Sequence, residues 1–254
     1  MLRIRVMRCA GVLACVLGLT FAGACAPDDA RPDLHVFAAS SLERVLTDWT
    51  PRIEAKLGVQ LSLSFGSSPV VARQVVEGAP ADVLITADRR SMQIATQAAA
   101  VGPRSVVARN RLALVVQSGN PDRIESVQEL ARRDLKVVLC DPDVPCGRLA
   151  AALLAKIGVA VNPVSLEENV SAAVAKVELG EADATIAYGS DVHTRRKDLA
   201  AVPLPEAEDR ELEAVYPAGV VTRGRQRAAA QRLIELLLSP EGTAVFVRAG
   251  FLAP

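Results

Sequence analysis

The stretch Leu34-His-Val-Phe-Ala-Ala-Ser-Ser-Leu42 passes from an apolar, strand-like segment through a serine pair into a helix-like one. Leu34 to Ala38 reads as a strand. Leu42, Val45, Leu46, Trp49 and Ile53 then recur at three and four spacing, which predicts a helix that Pro51 should kink or end. The same transition recurs at Phe65-Gly-Ser-Ser-Pro69, Val144-Pro-Cys-Gly147 and Glu167-Glu-Asn-Val170. A helix N-terminus exposes unpaired N–H groups and the positive end of the helix dipole. Several such ends aimed at one point would therefore hold a small oxyanion without a lysine or arginine.

Working outward, Val59, Leu61, Leu63 and Phe65 alternate with Gln60, Ser62 and Ser64, the period of a half-buried strand. Asp82 to Thr86, Leu112 to Val116, Lys136 to Leu139 and Ala184 to Tyr188 are further strand candidates, with helical runs between them. This alternation predicts an α/β fold of mostly parallel sheets with helices on both faces, and ligands in such sheets sit beyond the carboxyl ends of the strands, where the four loops fall.

The loops carry specific local expectations. Ser40 reads as an N-cap, with Glu43 completing a capping box and leaving Ser41 to face a ligand. Ser68 before Pro69 reads as a second cap, with Gly78 as the stop. Gly147 would let a ligand approach the backbone closely, and Asn169 should cap a helix ending near Gly180, leaving the Val170 N–H unpaired. Tyr188 ends a strand where its hydroxyl could donate to an oxygen, or simply pack as a buried tyrosine.

Residues 1–24 have the pattern of a signal peptide: Arg3, Arg5 and Arg8 precede an apolar run from Cys9 to Phe21 and the small residues Ala22-Gly-Ala24. That run is short for a membrane span. Residues 25–33 read as a polar, proline-bearing tether. Without the leader 230 residues remain, with 26 basic and 29 acidic side chains and a net charge of −3. Nothing there forms a basic field or an aromatic stacking set, which excludes nucleic acid as a partner. Cys140 and Cys146 are spaced to permit a disulfide closing a tight loop; two free thiols are the alternative. Zinc binding and a cysteine nucleophile both lack support, because His35 and His193 lie in unrelated segments. The acidic stretch Glu206 to Glu213 reads as a solvated loop.

The runs Val36-Phe-Ala-Ala-Ser-Ser-Leu42, Ser64-Phe-Gly-Ser-Ser68, Ala72-Arg-Gln74, Glu77-Gly-Ala-Pro-Ala-Asp82, Ile85-Thr-Ala-Asp88, Asp141-Pro-Asp-Val-Pro145 and Tyr188-Gly-Ser-Asp191 together resemble the molybdate-binding proteins of ABC transporters, from about Leu34 to Phe251. The resemblance implies a two-lobed periplasmic-binding-protein fold of type II with the ligand in the interlobe cleft. Lobe 1 would hold residues 34–109 plus 220–254 and lobe 2 residues 110–219, with crossings near Asn110–Leu114 and Val215–Gly219. It implies capture of molybdate or tungstate as an oxyanion, without cofactor, catalysis or a metal ion held directly by side chains. The ligand-binding positions fall on the hydroxyls of Ser41, Ser68 and Tyr188 and on the N–H groups of Cys146 and Val170. The chain departs from the family in having Cys146 where alanine is frequent and Ser40 in place of an alanine. Delivery of the anion by a monomer to an ABC permease and its ATPase is implied too. The segment around Cys25 resembles a lipobox, with Ala22 where leucine is usual, and this implies a lipid anchor at Cys25 on the extracytoplasmic face. Rival readings are a sulfate or phosphate receptor, with Asp191 a nearby carboxylate in sequence, and an exported hydrolase, which lacks a Gly-x-Ser-x-Gly elbow. A ferric-ion receptor would need neighbouring tyrosines, and Tyr188 and Tyr216 stand apart in the sequence.

Overall fold

The computed structural model describes residues 31–204 and 209–254, in the compact unit Arg31–Pro254. The leader, Cys25, most of the tether and the first three residues of the acidic stretch lie outside the described residues.

Two five-stranded sheets organise the unit. The first contains β1 (Asp33–Ala39), β2 (Gln60–Gly66), β3 (Val83–Ile85), β4 (Val101–Asn110) and β10 (Ala214–Val221), in the order β2-β1-β3-β10-β4. The second contains β5 (Leu112–Gln117), β6 (Val137–Cys140), β7 (Ser165–Glu167), β8 (Ala184–Tyr188) and β9 (Leu199–Val202), in the order β7-β6-β8-β5-β9. Each sheet has a parallel triad, β2-β1-β3 or β7-β6-β8, and the expectation of parallel sheets holds for these triads. Next to each triad lies a strand that has just arrived from the other sheet, and it runs antiparallel to its neighbours: β10 in the first, β5 in the second. The sheets are therefore mixed. The chain crosses from the first to the second at Asn110–Leu112 and is back in the first from Ala214, where β10 pairs along its whole length with β3 and β4.

The helices are amphipathic covers for these sheets. α1 (Glu43–Leu57) buries Val45, Leu46, Trp49 and Ile53, and it continues through Pro51 to the left-handed Gly58. The helix does not end at the proline because Pro51 and Thr47, whose carbonyl loses its partner, are both exposed to water, while Trp49 and Ile53 hold the flanking turns in the core. α2 (Ser68–Val76) and α3 (Arg89–Gln97) pack together over a small cluster that includes Val71, Val75, Leu84 and Met92. α4 (Pro145–Ile157), α5 (Val170–Glu178) and the short α6 (Gly189–Thr194) serve the second sheet, and α7 (Arg227–Leu238) and α8 (Pro240–Arg248) return to the first. β1, β2, β6 and β7 each end at a loop facing the gap between the sheets, so the four helix starts that follow meet there.

Candidate functional site

A small cavity of about 10 Å³ is lined by those four loops and Tyr188. Ser41 and Ser68 contribute from the side of the first sheet; Cys146, Val170 and Tyr188 contribute from the side of the second. All five residues singled out in the sequence line this one space. No charged side chain among the described residues lines it.

The local structure explains what each group offers. Ser40, Ser41 and Leu42 form a 3-10 turn that runs into α1, and neither it nor α1 has a side-chain cap. The predicted Ser40–Glu43 capping box is thus absent, because the tight turn places Ser40 inside the helical segment rather than before it. Ser40 and Ser41 are both buried at the cavity. Likewise Ser68 is the first residue of α2 and Ser67 its cap position, without a side-chain cap bond. The Ser68 Oγ instead accepts the Ala87 N–H at 2.9 Å, which leaves its own proton to be donated elsewhere. Ser41 Oγ lies 2.9 Å from the Tyr216 hydroxyl.

On the other side, Pro145 and Cys146 open α4, and Cys146 is joined to Cys140 by a disulfide that ties the end of β6 to the first helical turn. With its sulfur so engaged, Cys146 has only its N–H to offer the cavity. Gly147 has a different role from the one expected: a Cβ there would collide with the carbonyls of Cys140 and Asp141, so the glycine lets the disulfide loop fold onto its own helix rather than admitting a ligand. Asn169 caps α5 as predicted, its Oδ1 accepting the Ala172 N–H at 3.0 Å. That bond satisfies the third helical N–H and leaves the Val170 N–H at the cavity free of an intrahelical acceptor.

Tyr188 is 1% exposed and its hydroxyl has no hydrogen-bond partner among the described residues. Burial, followed by the proximity of Tyr216, pushes its phenol well above the usual range, so it stays a neutral donor. An unpaired buried hydroxyl costs about 1–3 kcal/mol, a cost that a bound acceptor would remove. Asp191 does not line the cavity: its carboxylate accepts the Tyr188 N–H at 3.2 Å and pairs with Arg195 at 3.3 Å. Two contacts cross the gap close to the cavity. Asp88, at the start of α3, pairs with Arg148 of α4, and Ser171 Oγ donates to the Ser40 carbonyl at 3.2 Å.

Sequence reasoning missed Tyr216 and Asn110. Tyr216 sits on β10, and although it is 28 positions from Tyr188 in the chain, the two phenols are close enough to raise the Tyr188 pKa. Their separation in sequence is not a separation in space.

Two sheets facing across a donor-lined cavity, each receiving a strand from the other, define a two-lobed solute-binding protein. The chain belongs to the family of bacterial extracellular solute-binding proteins, whose model matches residues 34–252. It is 32% identical over 250 residues to the molybdate-binding protein ModA of Mycobacterium tuberculosis, covering 98% of this chain and 95% of that one. Among solved structures, it superposes on the periplasmic molybdate-binding protein of Azotobacter vinelandii with a TM-score of 0.74 at 20% identity, over 87% of this chain and 99% of that one. The sulfate-binding protein SubI of Mycobacterium tuberculosis gives 0.72 at 20% identity over 87% and 86%. Membership of a family of binding proteins sets aside the hydrolase alternative. Among the described residues no helix is long and apolar enough to cross a membrane.

Proposed function

We propose that the protein captures molybdate, and tungstate with it, and hands it to an ABC permease and its ATPase. The observation that carries this reading is the cavity itself: residues bearing three hydroxyls and two helix-terminal N–H groups line one space that no charged side chain among the described residues enters. Ser41, Ser68 and Tyr188 donate through their hydroxyls, Cys146 and Val170 through their N–H groups. Each charge-assisted bond contributes about 1.5–3 kcal/mol against the lost hydration of the dianion.

The lining also argues about which anion. Hydrogen phosphate carries a proton that needs an acceptor, and no carboxylate among the described residues lines the cavity. Sulfate has no such proton, and it is rejected on size: a smaller tetrahedron leaves some donors unpaired. Molybdate and tungstate are nearly isosteric and bind alike. We keep the expected lobes, 34–109 with 220–254 and 110–219, but draw the return to lobe 1 at Ala214 rather than residue 220, since β10 pairs with β3 and β4; hinge closure across the two crossings presents the liganded form to the permease. The protein acts as a monomer held to the extracytoplasmic face by a lipid on Cys25, after removal of residues 1–24. A palmitate label lost in Cys25→Ala tests that anchor.

Titration calorimetry with molybdate, tungstate, sulfate and phosphate in turn tests the function. Binding of the first two with silence from the others is expected. Silence from molybdate and tungstate refutes the reading, and a response to sulfate alone moves it to a sulfate receptor.

A further inference from the structure

Beneath the cavity, four buried polar side chains form a continuous path: Ser41, Tyr216, Asn110 and Ser190. Asn110 ends β4 where the chain leaves the first sheet, opposite Ala214 of β10, and Tyr216 lies two residues further along β10, opposite Ala108 and at a register shift between Tyr216 and Pro217. Such a shift re-aims a side chain. The Tyr216 ring is fully buried and packs edge-on against Phe251, with centroids 5.5 Å apart. Its hydroxyl therefore has little freedom.

The direction of the bonds along this path can be deduced. Asn110 Oδ1 accepts the Arg111 backbone N–H at 3.1 Å, and a backbone N–H can only donate. The amide orientation is fixed by that contact. Nδ2 must then be the atom facing Ser190 Oγ at 2.8 Å and the Tyr216 hydroxyl at 3.5 Å, and it too can only donate. The Tyr216 oxygen accepts a hydrogen bond from Asn110 Nδ2, and the one acceptor left for its own O–H among the described residues is Ser41 Oγ at 2.9 Å. Ser41 accepts there, which leaves the Ser41 proton for the cavity.

We infer that Tyr216, oriented by Asn110, is a positioning residue that fixes the Ser41 hydroxyl as a donor to the bound oxyanion. With the polarity reversed, the Ser41 O–H would donate to Tyr216 and present lone pairs to a dianion, which repels it. A serine flanked by neutral groups can take either orientation; this path selects one before the ligand arrives. Burial keeps the Tyr216 phenol protonated, as the role requires. The inference rests on the reading of Ser41 as an anion ligand.

A double-mutant cycle on the purified protein, read by molybdate titration, tests it. Tyr216→Phe keeps the ring and its packing and removes the hydroxyl. Affinity is expected to fall about tenfold in the Ser41 background and less than about twofold in the Ser41→Ala background, since the effect passes through that serine. Ser41→Ala retains the other four donors and so leaves binding to be measured. Asn110→Ala should weaken binding in the same conditional way, and it decides the question if Tyr216→Phe folds poorly. Unchanged affinity in Tyr216→Phe, or an equal loss in both backgrounds, overturns the inference while leaving the molybdate reading intact. Silence of the unmutated protein toward all four oxyanions removes that reading, and the positioning role goes with it.

Discussion

Replacing Tyr188 by phenylalanine separates binding from stability, because the two effects have opposite signs. The Tyr188 hydroxyl is buried without a partner, while the ring is packed at the end of β8. Phenylalanine keeps the packing and deletes only the orphan. In the ligand-free protein the substitution should leave the melting temperature unchanged or raise it by about 2–4 °C, the equivalent of recovering about 1 kcal/mol of desolvation cost in a chain of this length. In the liganded protein it removes one charge-assisted bond of about 1.5–3 kcal/mol, which weakens molybdate about 10- to 150-fold. Calorimetry gives the affinity and differential scanning fluorimetry, with and without molybdate, gives both stabilities. A fall of several degrees without ligand would mean that the hydroxyl has a structural role. An affinity within twofold of the parent would mean that the anion does not meet it. Either result refutes the reasoning.

Three other outcomes are expected. Asp191 is fully buried, and desolvation raises its carboxyl from 3.8 to about 6 despite Arg195. Between those values the unfolded chain gives up a proton that the folded chain keeps, so this contribution to stability is complete below 3.8 and is lost as pH rises through about 6, about 3 kcal/mol in all. Asp191→Asn removes that slope: its urea-unfolding free energy relative to the parent should rise by about 3 kcal/mol across this window, and a flat difference would contradict it. Asp88→Asn can keep the bond to the Ser91 N–H that starts α3 but loses the charge facing Arg148, so release of molybdate in stopped flow should quicken about fivefold with little change in melting temperature. Finally, thiol counting after denaturation should find neither Cys140 nor Cys146 free, and replacing both by alanine should cost about 2 kcal/mol by freeing a six-residue separation in the unfolded chain.

Five of the six strands of the parallel triads were legible in the sequence as apolar or alternating runs bounded by loops that carry serine, glycine or proline; β7, only Ser165-Leu-Glu167 and partly exposed, was not among the expected strands. β4, β9 and β10 were not, for a physical reason. β10 holds Pro217 and Gly219 in its centre, residues that argue against a strand, and it tolerates them through register shifts. Gly219 is needed there, because a Cβ would run into the Val101 side chain. The cavity was legible through its helix starts, since Asn169 and the proline at Pro145 mark local events. The Ser40 cap was misread because a 3-10 turn and an α-helical first turn share the same sequence signals and differ only in how tightly tertiary packing winds them. Tyr216 was beyond local reasoning altogether: it meets Ser41 across 175 positions.

On the proposed reading, these long-range contacts explain how a chain with no net positive charge would hold a dianion without a cation in the cavity. Charged groups stand close by, yet they are spent on one another: Arg148 on Asp88, and Arg195 on Asp191 and Glu178. Their fields largely cancel at the cavity. A lysine there would attract sulfate, phosphate and molybdate alike, because Coulomb attraction depends weakly on the outline of the anion. Fixed neutral donors depend on it strongly, since a hydrogen bond weakens steeply with angle and length. Selectivity of this kind needs each hydroxyl held in one orientation before the ligand arrives. The cost of placing Tyr216, Asn110 and Ser190 in a buried path is then the cost of making Ser41 directional. It follows that loosening the path should harm discrimination more than capture: in Tyr216→Phe the ratio of molybdate to sulfate affinity should fall as well as the molybdate affinity itself. Competition of sulfate against bound molybdate measures that ratio, and an unchanged ratio would show that Ser41 is oriented by the anion alone.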